Sequence, residues 1–179
     1  AMENVKALVV TMNWVYIITY WPVIFLAAFV LFIKSRSDYN FYRTVVFINL
    51  AGALLIFMTF PVASPFAIPS VVLLDSIQEF GPKFYGSEDM STFYNISAAM
   101  PSLHFSWTVI LGVLFWRSFP GNLRLIGLLY PFLTFFAITL TGNHFILDAV
   151  AGGTLAGFSF SVVLLLRATV WRHPTRLSA

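Results

Sequence analysis

The 179-residue chain contains no cysteine. That absence removes disulfide frameworks, iron–sulfur clusters, thiolate zinc sites and cysteine nucleophiles. Charge is scarce too: Asp, Glu, Lys and Arg make up 9% of the residues, against about 25% in soluble domains. A chain so poor in charge cannot clothe a water-soluble globule. Disorder is excluded as well, because it needs low hydrophobicity and high net charge. No basic run is interleaved with aromatics, so nucleic acid is not an expected partner. Internal repeats, low-complexity tracts and linkers are also missing, and no feature sets an oligomeric state.

What is present is apolar: 59% of residues are hydrophobic and the mean hydropathy is +0.86. This composition implies an integral membrane protein. A helical span needs roughly 20 mostly apolar residues. Stretches at about 7–33, 44–60, 98–116, 123–140 and 144–166 meet or approach that length. They are continuous runs, without the alternating ten-residue pattern of a membrane barrel. The expected fold class is therefore all-α, an integral membrane helical bundle of about five transmembrane helices forming one domain over residues 1–179. The first run is too long for a cleavable leader and lacks a small-residue cleavage site; Met2, after Ala1, is the expected natural start.

Eight of the ten basic residues fall on one side of these spans: Lys34, Arg36, Arg43, Arg117, Arg124, Arg167, Arg172 and Arg176. Lys/Arg excess marks cytoplasmic loops, so the C-terminus is expected inside and the N-terminus outside, in the plasma (inner) membrane. The outer side then carries Lys6, Lys83 and the segment 61–95, with Asp75, Glu79, Glu88 and Asp89. A loop of that length is more often functional than not. Within it 71–80 reads as a short interfacial helix, and Pro61, Pro65 and Pro69 argue against a further span.

Ionisable groups inside membrane helices are costly and mark function. His104 lies about one turn into the third span, His144 opens the fifth, and Asp148 follows it by four residues. That spacing puts His144 and Asp148 on one helix face. The carboxylate would hold one ring nitrogen and leave the other more nucleophilic. Alternating topology places His104 and His144 at the same depth, near the outer surface. Such a trio points to catalysis, with a cation site as the rival reading. Pro101 and Ser102 suit a helix start, whose free N–H groups favour phosphate. Ser102 and Asn143 are expected either to cap helices or to donate hydrogen bonds to substrate. Asn49 reads as an interhelical hydrogen bond, and Ala149, Gly153 and Gly157 as a stripe that admits a neighbouring helix.

Pro101-Ser102-Leu103-His104 resembles the second signature of the type 2 phosphatidic acid phosphatase (PAP2) superfamily. Thr141-Gly142-Asn143-His144-Phe145-Ile146-Leu147-Asp148, with its small-residue tail, resembles the third. The wording is most similar to the Aur1-like inositol phosphorylceramide synthase branch, as is Phe60-Pro61-Val62-Ala63-Ser64-Pro65; the motif-bearing core spans about 58–166. The resemblance implies a metal-independent enzyme without cofactor. In it His144 attacks phosphorus to form a phosphohistidine, Asp148 orients it, and His104 protonates the leaving oxygen. The implied substrate is a phospholipid or other lipid phosphate, and the acceptor is water or an alcohol. Two departures stand out: the family's first signature, which supplies Lys and Arg to phosphate, is missing, and Ile138 occupies a position usually held by arginine. Lys83 is the expected substitute clamp. A phosphodiester headgroup, with one negative charge, suits such a site better than a dianionic monoester. The remaining alternatives are a lipid-phosphate or polyprenyl-diphosphate phosphatase and a non-catalytic lipid-binding protein that keeps the fold.

Overall fold

The computed structural model describes residues 2–68, 76–80 and 98–169. Lys83, the acidic pair Glu88 and Asp89, and the tail basics Arg172 and Arg176 lie outside the described residues. The described chain is all-α: α1 (Met2–Ile18), α2 (Tyr20–Lys34), α3 (Arg36–Thr59), α4 (Ser76–Phe80), α5 (Leu103–Ser118), α6 (Leu123–Leu140) and α7 (Ile146–Thr169), with a 3-10 turn at Pro65–Ala67. Each of the five apolar stretches is realised as a helix or a helix pair. Among the described residues three candidate spans, Lys6–Lys34, Arg36–Thr59 and Ile146–Thr169, are long and apolar enough to cross a membrane, and Arg124–Leu140 is a shorter apolar helix.

The first span is broken into α1 and α2, and Pro22 is the reason. Pro22 has no N–H for the Ile18 carbonyl, and its ring crowds that turn. The junction falls at Thr19, which keeps helical φ and ψ and whose hydroxyl bonds back to the Val15 carbonyl at 2.6 Å. Tyr130 of α6 donates to the Thr19 carbonyl at 3.1 Å and braces the junction. At 29 residues, the span would measure about 43 Å if straight, well over the roughly 30 Å of a bilayer core.

The second helix starts earlier than the hydropathy suggests, at Arg36 rather than near Thr44. Ser35 alone separates α2 from α3, in extended conformation, and its hydroxyl accepts the Asp38 N–H at 3.3 Å. The charges that read as a loop ride on the helices instead. The Arg36 guanidinium sits 3.4 Å from the Phe32 ring centre and that of Arg43 lies 5.6 Å from Tyr39, so their aliphatic stems can cover apolar surface.

The third stretch starts helically only at Leu103. Over 98–102, Ala98 bridges to Val62, the Ala99 N–H bonds to the Val62 carbonyl at 3.0 Å, and the chain bends at Met100 and Pro101. Helix α5 then turns into α6 through Gly121, whose φ of +58° suits glycine. The two helices touch backbone to backbone. A Cβ on Gly112 would lie 2.5 Å from the Gly127 carbonyl oxygen, and the reverse holds at Gly127. Pro131 leaves that Gly127 carbonyl without its helical N–H, so the freed oxygen faces Gly112.

Buried Asn49 ties three helices. It donates to Ser106 of α5 at 2.7 Å and Ser159 of α7 at 3.2 Å, and accepts the Trp107 indole N–H at 3.1 Å. The larger core gathers Ala27, Leu31, Val45, Ile110, Leu114 and Val163; a smaller one joins Tyr16, Ile77, Ala137, Ile138 and Ala149. Phe25, Phe29, Leu129, Phe132 and Leu165 point outward, an apolar exterior too extensive for water. At the α2–α3 end, Asp38, Arg117 and Arg167 line one cavity of about 200 Å³, and Arg167 reaches the Ser37 carbonyl at 3.5 Å. Lys6 lies instead over the ring of Phe80, in α4.

Candidate active site

The two motifs meet at the start of α5 and the start of α7. The Ser102 N–H donates to the Asp148 carbonyl at 3.0 Å. A Cβ at Gly152, one turn further along α7, would collide with the Ser102 carbonyl oxygen, and one at Gly153 would come within 3.3 Å of the Phe105 ring. Gly152, outside the expected stripe, thus makes the closest approach. Gly157 has nothing within 4 Å of its would-be Cβ and takes no part.

The Thr141–His144 segment is a glycine-terminated helix end. Gly142, at φ +74°, allows the reversal that caps α6, and its N–H bonds to the Thr139 carbonyl. The His144 N–H then reaches back to the Ile138 carbonyl at 3.1 Å. His144 therefore precedes α7 rather than opening it, because the chain is still leaving α6 at that point. Its nearness to Asp148 comes from the turn and not from a shared helix face. The His144 Nδ1 and the Asp148 Oδ2 lie 3.5 Å apart, with the two side chains 9% and 2% exposed. This is ion-pair range, longer than a 2.7–3.2 Å hydrogen bond, and Nδ1 makes no hydrogen bond among the described residues. Resting sites often hold such bonds long until substrate arrives.

Asp148 has a second duty. Its Oδ2 accepts the Phe145 N–H at 2.8 Å, the reach-back half of a capping box at the third position of α7. Ser102 caps α5, accepting the Phe105 N–H at 3.4 Å, and is fully buried. Pro101 consequently stands before the cap, not at the first helical position. Asn143 is buried and donates to the Thr141 hydroxyl at 2.7 Å. The arginine position held by Ile138 is filled by a fully buried apolar side chain in the smaller core.

His104 is the second residue of α5, two positions beyond the Ser102 that bonds to Asp148. Two residues that sequence reasoning missed surround it. The Tyr16 ring stacks on the imidazole at 4.2 Å between centroids and the Tyr20 ring at 3.9 Å, with interplanar angles of 24° and 27°. The Tyr16 hydroxyl lies 3.3 Å from Nδ1. The signal available was the i, i+4 spacing of two tyrosines inside an apolar span, which resembles ordinary interface anchoring.

A polar chain runs behind the site. Fully buried Asn13 bonds to Ser76, donating to its carbonyl at 2.6 Å and accepting its hydroxyl at 3.0 Å. Ser76 also approaches the Thr141 carbonyl at 2.7 Å, so its single proton is shared between two acceptors. The network fastens α1 and α4 to the turn carrying His144. Among the described residues no three His, Cys, Asp or Glu side chains converge as a metal cluster.

No curated protein matches the chain, and no solved structure does. The family model described as the PAP2 superfamily matches residues 1–162, nine-tenths of the chain and both motifs included, so the chain belongs to the PAP2 superfamily.

Proposed function

We propose that this chain is a membrane-embedded lipid phosphotransferase or phosphatase working through a phosphohistidine. His144 attacks the phosphorus of a lipid headgroup, Asp148 holds the imidazole and offsets its growing positive charge, and His104 gives a proton to the departing oxygen. Water or an alcohol then takes the phosphoryl group from His144, with His104 accepting its proton. Membership of a superfamily of phosphatases and phosphotransferases supports the reaction class. The observation that carries the residue roles is the Ser102–Asp148 backbone bond, which brings the two motif histidines and the carboxylate to one end of the bundle.

The absence of the first signature and the apolar filling at Ile138 favour a singly charged phosphodiester over a monoester. The reading therefore includes the Aur1-like branch, with an alcohol as acceptor. It also places the site at the outer face and the C-terminus in the cytoplasm, as one domain. The Ser102 N–H is taken by the Asp148 carbonyl and the Asn143 amide donates to Thr141, so these two would hold the motif turns in place while Lys83 brings a positive charge. Proton transfer of this kind contributes roughly 10²–10⁴-fold, with in-line positioning and charge neutralisation adding the rest.

The test uses vanadate, labelled phospholipids and His144→Ala in detergent-purified protein. Wild type should bind vanadate and trap an acid-labile phosphoenzyme from one labelled lipid; His144→Ala should do neither while keeping its thermal transition. Labelling that survives in His144→Ala would remove the nucleophile assignment. Absence of vanadate binding in wild type would favour a lipid-binding protein without turnover. Lipid products with and without an alcohol acceptor separate transfer from hydrolysis.

A further inference from the structure

We propose that Tyr16 and Tyr20 form an aromatic clamp that orients His104 and sustains positive charge on it, which makes both tyrosines positioning residues for the proton-donating step. The inference rests on the phosphohistidine reading and adds a device to it. Two near-parallel rings with centroids 4.2 and 3.9 Å from one imidazole cannot share a face of it. They hold the ring between them from either side of the α1–α2 junction at Thr19.

The clamp is itself held. Both tyrosines are buried. Tyr20 stacks on Trp107 at 5.9 Å, and the Trp107 indole is fixed to Asn49. The imidazole is thereby denied rotation about its long axis. The Tyr16 hydroxyl, 3.3 Å from Nδ1 on a stacked ring, sits over the nitrogen and not in the ring plane, so directional bonding is weak. The ring faces carry the effect. Each offers the negative side of its quadrupole to a cation.

The two histidines then have partners suited to different tasks. His144 faces a carboxylate, which favours a nucleophile that ends the first step positively charged. His104 must carry a proton, release it and take one back. During the first step the His144 N–P bond forms as the lipid P–O bond breaks. The proton passes from imidazolium His104 to the leaving alkoxide, leaving His104 neutral. Two neutral π faces stabilise the cation by less than an ion pair would, so an alkoxide can still take its proton. A carboxylate there would hold the proton back.

Leaving-group dependence tests this, because a 4-nitrophenolate departs without a proton while an alkoxide does not. Turnover of dioleoyl phosphatidate and phosphatidylinositol would be compared with that of 4-nitrophenyl phosphate and bis(4-nitrophenyl) phosphate. His104→Ala sets the scale. Tyr16→Leu and Tyr20→Leu should each lose about tenfold on the alkyl substrates and under about threefold on the nitrophenyl ones. Tyr16→Phe and Tyr20→Phe, which keep the faces, should stay within about threefold of wild type on both. Tyr→Met replaces Tyr→Leu if the leucine variants lose their thermal transition. Equal losses on both substrate types would reduce the clamp to packing and overturn the proposal. A loss in the Phe variants confined to alkyl substrates would assign the effect to the hydroxyls and overturn it too. Wild type inert on every substrate would sink the phosphohistidine reading and the clamp with it; an active wild type whose variants show no leaving-group dependence would sink the clamp alone.

Discussion

At Asp148 one carboxylate oxygen serves both the fold and the proposed chemistry. It accepts the Phe145 N–H at 2.8 Å and stands 3.5 Å from the His144 ring nitrogen. The two duties differ in what they demand. Capping needs an acceptor, which an amide oxygen supplies; orienting a nucleophile that gains positive charge needs a negative one. Asp148→Asn should therefore keep its thermal transition within a few degrees while turnover falls roughly 10²–10⁴-fold, the range of an orienting acid or base. Asp148→Ala should lose activity similarly and also about 1 kcal/mol of stability, as a lost helix-end bond does. Melting curves beside turnover decide it. An Asn variant with wild-type turnover would leave Asp148 a cap and nothing more.

Among the elements, the junction of α5 with α7 sets the distance between the two histidines, and Gly152 allows it. Its would-be Cβ meets the Ser102 carbonyl oxygen, which is backbone and cannot step aside. Gly152→Ala should cost about 1–3 kcal/mol and lower turnover by pushing His104 away from His144. Gly157→Ala, with nothing within 4 Å of the new methyl, should be neutral or slightly stabilising. Thermal shift and turnover of the two variants check the contrast, and equal behaviour would refute the close-approach role of Gly152. The sequence showed small residues at this helix but not which ones faced α5, since three glycines lie within six positions. Other boundaries were legible where glycine punctuates: α6 begins and ends as expected because Gly121 and Gly142 take positive φ. The start of α3 was misjudged because charge in an apolar chain reads as loop, while a Ser35 cap and arginines lying on Phe32 and Tyr39 let a helix carry it. The clamp on His104 was illegible for a different reason: Tyr16 lies 88 residues from its partner, and no local pattern encodes a ring stack across that distance.

For the whole molecule, the lack of cysteine becomes an experimental asset. The described charges separate by end: Asp38, Arg117 and Arg167 share one cavity, while Lys6 lies against Phe80 beside the polar chain that fastens the His144 turn. Lys/Arg excess favours the cytoplasmic side, so the cavity end should face the cytoplasm and the motif end the exterior. Any cysteine introduced is the sole thiol in the chain, and its reaction with a membrane-impermeant maleimide reports one position alone. Ser37 and Lys6 are both exposed and belong to opposite ends. Lys6→Cys should react in intact cells, and Ser37→Cys only in inside-out vesicles or after permeabilisation. The reverse pattern would turn the proposed site toward the cytoplasm, leaving its chemistry intact but changing the leaflet that supplies the lipid.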